Sequence, residues 1–160
     1  MRIFILIIFS FLNLLPGMLY SEDLVRKVTG YSETEKYILS DGTTISHYKN
    51  KGTWTNNKGN YGTETCKGTI VINLQGSIID YLLFCNGKDY LGNTYTAKYN
   101  RTSEMDSGTG FYIYIDGKGP WKKRIGKRCN YAITYVDDAY FTTDKCKIEN
   151  KSEDELNQSL

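Results

Sequence analysis

The cysteines are the residues whose number and spacing most directly predict chemistry. Their spacings are wide and the chain has one histidine, whereas a structural zinc site uses close cysteine pairs together with histidines. An even number of cysteines in an exported chain is typical of disulfides. The sequence therefore predicts two disulfides and no metal site. The cysteines are Cys66, Cys85, Cys129 and Cys146.

The positions of the cysteines also predict how they pair. The first two lie at equal distances from Gln75–Gly76, and the last two lie at equal distances from Asp137–Asp138. Opposed residues of antiparallel strands have Cα atoms about 4.5–5.5 Å apart, which a disulfide can span. If hairpins turn at these two points, each pair of sulfurs meets. We predict Cys66–Cys85 and Cys129–Cys146, with the two crossed pairings as alternatives.

Alternation along the first hairpin assigns one of its faces to the interior. That face carries only apolar, small or aromatic residues, so a shift of one residue would lose the pattern. The second hairpin is less regular, because Asp144 and Thr142 share a face with Tyr131 and Ile133. The predicted inner face of the first hairpin consists of Cys66, Gly68, Ile70, Ile72, Leu74, Ile79, Tyr81, Leu83 and Cys85.

Acid–base and cofactor chemistry have few candidate residues. His47, in TISHYK, is the one histidine and the only general base that titrates near neutral pH. The chain has no Gly-x-Ser-x-Gly motif, and its cysteines are expected to be oxidised. Asp137–Asp138 fits a hairpin turn, where aspartate tolerates the backbone angles. GTGFYIYIDGKG lacks the glycine spacing and the helix of a dinucleotide site, so no cofactor is predicted.

Two groups of residues could bind a partner or a ligand. The stretch WKKRIGKR could form an anion-binding surface, although charges also protect exposed strands from pairing. Tyrosine is abundant, with 14 residues, and tyrosines that line a barrel can hold a ligand by stacking and hydrogen bonding. The candidate ligand contacts are Tyr81, Tyr131, Tyr135 and His47. The candidate anion surface consists of Lys122, Lys123, Arg124, Lys127 and Arg128.

The beginning of the chain has the pattern of a secretory signal peptide. Arg2 precedes an apolar run that ends at Pro16–Gly17, and polar residues follow. We expect cleavage after Ser21, with a retained membrane anchor as the alternative, and no transmembrane segment in the mature chain. The expected location is therefore periplasmic or secreted. The net charge of +2 falls by one without Arg2, which does not favour nucleic acid as a partner.

The remaining sequence alternates short runs rich in Tyr, Ile, Thr and Val with Gly, Asn and Asp. This rhythm, without a helical period, predicts an all-β domain of about eight antiparallel strands. A meander that closes into a small barrel leaves no unpaired edge, and a two-sheet sandwich is the alternative. The predicted organisation is a signal peptide over 1–21, a polar lead-in over 22–35, a barrel over 36–148 and an acidic flexible tail over 149–160.

The run GTGFYIYIDGKGPWKKRIGKRCNYAITY resembles the glycine and aromatic pattern of small exported β-barrels of the allene oxide cyclase and dirigent class. Gly59 to Gly62 and the four cysteines are also similar to short uncharacterised exported proteins of marine alphaproteobacteria. The resemblance covers roughly 52–146 and implies a barrel. No residue matches the acidic pattern of the cyclases or dirigent proteins, so the resemblance implies no activity.

Three functions are compatible with these features. The first is an exported binding module for an apolar or aromatic small ligand. The second is an envelope-associated interaction or inhibitor protein that acts through its loops and basic stretch. The third is a cofactor-free isomerase or cyclase, which would need titratable groups that converge inside a cavity. Because no catalytic set is evident in the sequence, we expect the binding module rather than an enzyme.

Overall fold

Eight antiparallel strands account for most of the described chain. The structure is a computed structural model that describes residues 23–101 and 107–147, so the predicted signal peptide and acidic tail lie outside the described residues. A 3₁₀ helix, Gly119–Arg124, connects the sixth and seventh strands. The strands are β1 (Leu24–Ile38), β2 (Thr44–Asn56), β3 (Tyr61–Ile72), β4 (Ile78–Asp89), β5 (Thr94–Arg101), β6 (Ser107–Gly117), β7 (Arg128–Val136) and β8 (Ala139–Cys146).

Each strand pairs with its neighbours in sequence, and β1 pairs with β8 to close a barrel. This confirms the predicted meander and barrel and excludes the two-sheet sandwich. Both predicted disulfides are present, with Cα–Cα distances of 3.9 Å for Cys66–Cys85 and 4.4 Å for Cys129–Cys146. Each bridge joins directly opposed residues of one hairpin, so mirror symmetry about a turn was a sufficient guide to the pairing.

The first disulfide hairpin departs from the predicted register near its turn. The register is as predicted from Cys66 to Val71, but a bulge follows Val71 and brings Ile72 opposite Ile78. The prediction that Leu74 and Ile79 face the interior is therefore wrong, since their side chains are 71% and 59% exposed. An extra residue in one strand reverses the alternation beyond it, and sequence alternation alone does not reveal where a bulge lies.

The first strand begins earlier than the sequence analysis placed it. Residues 24–35, assigned to a polar lead-in, form most of β1. Their inward positions carry Leu24, Arg26 and Val28, which are all buried. Between them, Lys27 is exposed and Val25 is half-buried. The alternation of apolar and polar residues is interrupted by Arg26, and a charged residue is typical of an exposed segment. The sequence pattern therefore did not indicate a strand here.

Four hairpin turns share one conformation, which the sequence repeats. Glycines with φ between 78° and 86° occupy the fourth position of the segments LSDGT, NNKGN, NLQGS and DYLGN. In the last three, the first residue is Asn56, Asn73 or Asp89, and its side-chain oxygen accepts N–H groups two and four residues ahead. Because glycine alone adopts positive φ without strain, these turns are encoded locally.

The two ends of the barrel differ. At the closed end the 3₁₀ helix lies across the strands, with Trp121 buried. At the open end β1 pairs with β2 as far as Ile38, but its pairing with β8 stops at Tyr31. The upper parts of β1 and β2 therefore form a wall that rises above the turn between β7 and β8.

Candidate functional site

Aromatic rings fill the closed half of the barrel. The ring of Trp121 lies 4.4 Å from that of Tyr95 and 5.7 Å from that of Trp54, measured between centroids. Its indole Nε1 donates a hydrogen bond of 3.0 Å to Asp89 Oδ2. Tyr114 packs against the same rings. Packed aromatic rings therefore occupy this half of the interior.

A buried ionic cluster lies at the centre of the barrel, and we call Arg26, Glu64 and Asp144 the ionic triad. Arg26 Nε donates to Asp144 Oδ2 at 2.7 Å, and Nη1 donates to Glu64 Oε2 at 3.0 Å. Each of the three residues is 5% exposed or less. Two carboxylates on one guanidinium leave a net negative charge if both are ionised, which burial opposes.

Tyrosine hydroxyls supply further hydrogen bonds to the triad, although Asp144 Oδ1 has no partner among the described residues. Arg26 donates to the hydroxyls of Tyr95 and Tyr99, and Tyr95 in turn donates to Glu64 Oε2 at 3.0 Å. Tyr112 donates to Asp144 Oδ2 at 3.3 Å. Burial raises the pKa of all three tyrosines well above the usual value, so their hydroxyls stay protonated.

Strand register places these residues. Arg26 and Asp144 are directly opposed across the β1–β8 seam. Glu64 lies two residues before Cys66, so it faces the interior like the disulfide. Desolvation by burial raises the pKa of the Glu64 carboxyl, and Arg26 opposes this shift only in part. The environment of the triad therefore favours the protonated form of Glu64.

One further group inside the barrel has the residue types of a metal site. Glu64, Cys66 and Cys85 place one ligand atom each within 4.8 Å of the others. The two cysteines form a disulfide, however, and the thiolate is the form that binds metals. The arrangement does not fit a metal ion.

Above the triad, tyrosines surround a small interior cavity of about 30 Å³. Tyr81, Tyr131 and Tyr135, the predicted ligand contacts, all border it. Burial raises the pKa of Tyr131 to about 12. The volume is close to that of one water molecule, so the cavity itself cannot hold an organic ligand.

The open end holds a much larger recess of about 650 Å³, which we call the cup. Tyr48 and Tyr135 border both the cup and the small cavity, so they form its floor. Ser46 is fully buried, and its hydroxyl has no hydrogen-bond partner among the described residues. The cup is lined by Ser32, Thr34, Lys36, Ile38, Thr44, Ser46, Tyr48, Ile72, Tyr135, Asp137 and Asp138.

The other predicted site residues lie outside the cup. His47 is exposed on the outer face of β2, where its Nδ1 lies 3.1 Å from Thr69 Oγ1 and its ring contacts Tyr37. The candidate anion surface lies at the closed end, on and just after the 3₁₀ helix. Arg124 lies over the Trp121 ring, and Arg128 lies over the Phe111 ring. Of the four candidate ligand contacts, the structure brings together the three tyrosines.

Sequence reasoning did not identify the ionic triad. In the sequence, Asp144 lies on the same strand face as Cys146, and Glu64 lies on the same strand face as Cys66. Extending the alternation of the disulfide strands by two residues would have placed both carboxylates inside. Arg26 could then have been sought as their counter-charge, because buried carboxylates need a partner.

Among the described residues, no helix has the length and hydrophobicity needed to cross a membrane. No protein-family model matches the chain, and no curated protein or solved structure matches it either.

Proposed function

We propose that the protein is an exported binding module that holds a small ligand with an aromatic or apolar body in the cup. The observation that carries this proposal is the cup itself. Its volume of about 650 Å³ falls within the range of roughly 300–1,000 Å³ that ligand pockets occupy. The filled closed half and the small central cavity leave the open end as the place for a ligand.

The lining of the cup supports a ligand with polar groups on an apolar body. Tyr48 and Tyr135 offer ring faces on the floor, and Ile38 and Ile72 add apolar surface. Exposed polar side chains at the rim, Thr34 and Lys36, offer hydrogen-bonding groups to such a ligand. Tyr81 and Tyr131 lie beneath this floor, so they support Tyr48 and Tyr135 and do not contact the ligand.

The ionic triad favours binding over catalysis. Its carboxylates are enclosed by tyrosines and lie below the cup, where a ligand in the cup does not reach them. A general acid or base must come within hydrogen-bond reach of its substrate, directly or through one water. Two disulfides in one small domain also support the proposed export.

A fragment screen by ligand-detected NMR tests the proposal. The panel consists of single-ring aromatic and aliphatic compounds that carry one hydroxyl, amine or carboxyl group. Thr34→Trp places a large ring in the cup, and Thr63→Trp places the same ring on the outer face of β3 as a matched control. We expect fragments that bind the native chain and Thr63→Trp but not Thr34→Trp. A panel without any fragment of this kind would contradict the proposal.

A further inference from the structure

We infer that the upper part of β1 is a docking edge for an extended basic peptide, which adds to the barrel as a further strand. The inference concerns the strand edge rather than the cup, and it holds whether or not the cup takes a small ligand. It rests on the unequal pairing of the two sides of β1 and on the side chains of residues 33–38. It rests also on the like charges that oppose each other when two copies of this edge pair.

The ladders along the two edges of β1 end at different residues. On one side β1 pairs with β2 through Ile38, and on the other its ladder with β8 ends at Tyr31. The Ser32 N–H still donates to the Asp138 carbonyl, at 2.8 Å. Within the described residues, no strand pairs with β1 on this side beyond that bond. Residues 33–38 therefore form an open strand edge.

The period of two in a strand identifies which backbone groups face this edge. Ser32 bonds toward β8, whereas the Leu39 N–H bonds toward β2 through the Thr43 carbonyl. Even-numbered residues thus present their N–H and C=O groups on the β8 side. At the open edge these residues are Thr34, Lys36 and Ile38, and all three are exposed. An edge with unpaired N–H and C=O groups is a template for another strand.

The side chains along the edge favour a basic partner. Glu33 and Glu35 lie on the outer face, both exposed, and Glu33 already bonds to Lys49 Nζ at 2.7 Å. An antiparallel peptide would place its alternate side chains directly beside these carboxylates, in closely spaced pairs. Lysine or arginine at those positions is complementary in charge. The other side chains of the peptide would point toward the cup, where Ile38 provides apolar contact.

The same side chains disfavour pairing with a second copy of the edge. Two antiparallel copies must be related by a two-fold axis through one residue, because bonded positions face bonded positions. If the axis passes through Thr34, Glu33 of one copy lies opposite Glu35 of the other. If it passes through Glu35, the two copies of that carboxylate lie opposite each other. If it passes through Lys36, two ammonium groups lie opposite each other. Like charges directly opposed are destabilising. An axis at Tyr37 pairs only 36–38 before the turn begins.

The test uses the full chain and the probe peptide acetyl-Val-Lys-Val-Lys-Val-Lys-amide, whose last two lysines lie opposite Glu35 and Glu33. In the predicted register its valines oppose Thr34, Lys36 and Ile38, and their N–H groups donate to β1. Two control peptides carry N-methyl groups either on every valine or on every lysine. N-methylvaline should abolish binding, whereas N-methyllysine, whose N–H groups point away from β1, should leave it nearly unchanged. Equal effects of the two modifications would overturn the inference.

Amide hydrogen exchange locates the binding on the protein. In the free chain, the amides of Thr34, Lys36 and Ile38 should exchange much faster than those of Glu35 and Tyr37, and the peptide should slow them. Protection that is already present in the free chain would mean that another segment covers the edge. Protection that disappears on dilution would mean that a second copy covers it. Either result would overturn the inference.

Lys36→Pro provides a protein-side variant that keeps the fold. The substitution removes an N–H that faces the open edge and leaves the β1–β2 ladder intact, which is the position where strands tolerate proline. Affinity for the probe peptide should fall about tenfold or more, since a backbone hydrogen bond is lost and the ring blocks the approach. If the variant unfolds at the native temperature and binds the peptide with unchanged affinity, residues 33–38 are not the docking edge.

Discussion

Arg26 and Asp144 face each other across the seam where the first and last strands meet, with Nε and Oδ2 2.7 Å apart. Both side chains are almost completely buried. The bond therefore joins the two strands whose pairing turns a meander into a barrel. Glu64 on β3 binds the same guanidinium, so one cation connects three strands.

Arg26→Met should be strongly destabilising. It leaves Glu64 and Asp144 buried without their cation, and breaking a buried ion pair in this way typically costs about 3–5 kcal/mol. Urea unfolding followed by circular dichroism measures the loss. The matched control is Arg128→Met, where an exposed guanidinium over the Phe111 ring should contribute about 0.5–1 kcal/mol. Equal losses in the two variants would show that the triad does not stabilise the barrel.

The stability should decrease with pH because of Glu64. Burial raises the pKa of its carboxyl in the folded state, so the protonated form is favoured there. Its contribution to stability is complete below the unfolded pKa of about 4.3, and it is lost as the pH rises through the folded pKa. Glu64→Gln should remove this pH dependence. The stability of the variant, relative to that of the native chain, should therefore increase between pH 5 and pH 8.

Glu33→Gln is the control for that pH series, because its effect has the opposite sign. A hydrogen bond from Lys49 lowers the pKa of the exposed Glu33 carboxyl. Its contribution is therefore present above the unfolded pKa and is lost as the pH falls through the folded pKa. Urea unfolding at several pH values distinguishes the two. If the Glu64→Gln curve ran parallel to the native curve, the carboxyl would not be protonated in the folded state.

Trp121→Ala should open the closed end of the barrel. The ring is 6% exposed and packs on Trp54, Tyr95 and Tyr114, so its removal should cost about 3–5 kcal/mol. Ile125→Ala, in the same connection but with its side chain 45% exposed, should change stability little. Thermal and urea unfolding of both variants give the comparison. A similar effect of the two substitutions would show that the Trp121 ring does not stabilise the closed end.

Each disulfide should contribute about 3 kcal/mol, because the bridges close loops of similar length, with sequence separations of 19 and 17. Replacing either pair of cysteines by alanine should lower the free energy of unfolding by this amount, measured in urea. Peptide mapping of the unreduced native chain should connect Cys66 to Cys85 and Cys129 to Cys146. A crossed connection would contradict the register of both hairpins.

The features predicted from sequence are those that depend on local spacing. The cysteines lie symmetrically about turns that glycine and aspartate encode, so their pairing follows from neighbouring residues alone. The second hairpin keeps its register over its whole length, from Cys129 opposite Cys146 to Val136 opposite Ala139. The bulge after Val71 was missed, because local spacing does not show where a ladder gains a residue.

The triad and the cup depend on contacts between strands that are distant in sequence. Whether Arg26 is buried is decided by β8 and β3, and nothing within its own segment indicates an interior position. Trp121 was likewise read as part of a basic stretch, whereas it enters the barrel from a 3₁₀ helix. The cup follows from the unequal lengths of neighbouring ladders, which only the closed barrel reveals.

Closure of the barrel has a consequence for the order of folding. Seven of the eight ladders join consecutive strands and can form as hairpins, while the β1–β8 ladder joins the two ends of the meander. When strands that are distant in sequence pair, the entropy of the intervening chain is lost before the contacts that compensate for it have formed. We therefore expect closure to be the slow, final step, and any unclosed intermediate exposes two bare edges on which chains can aggregate.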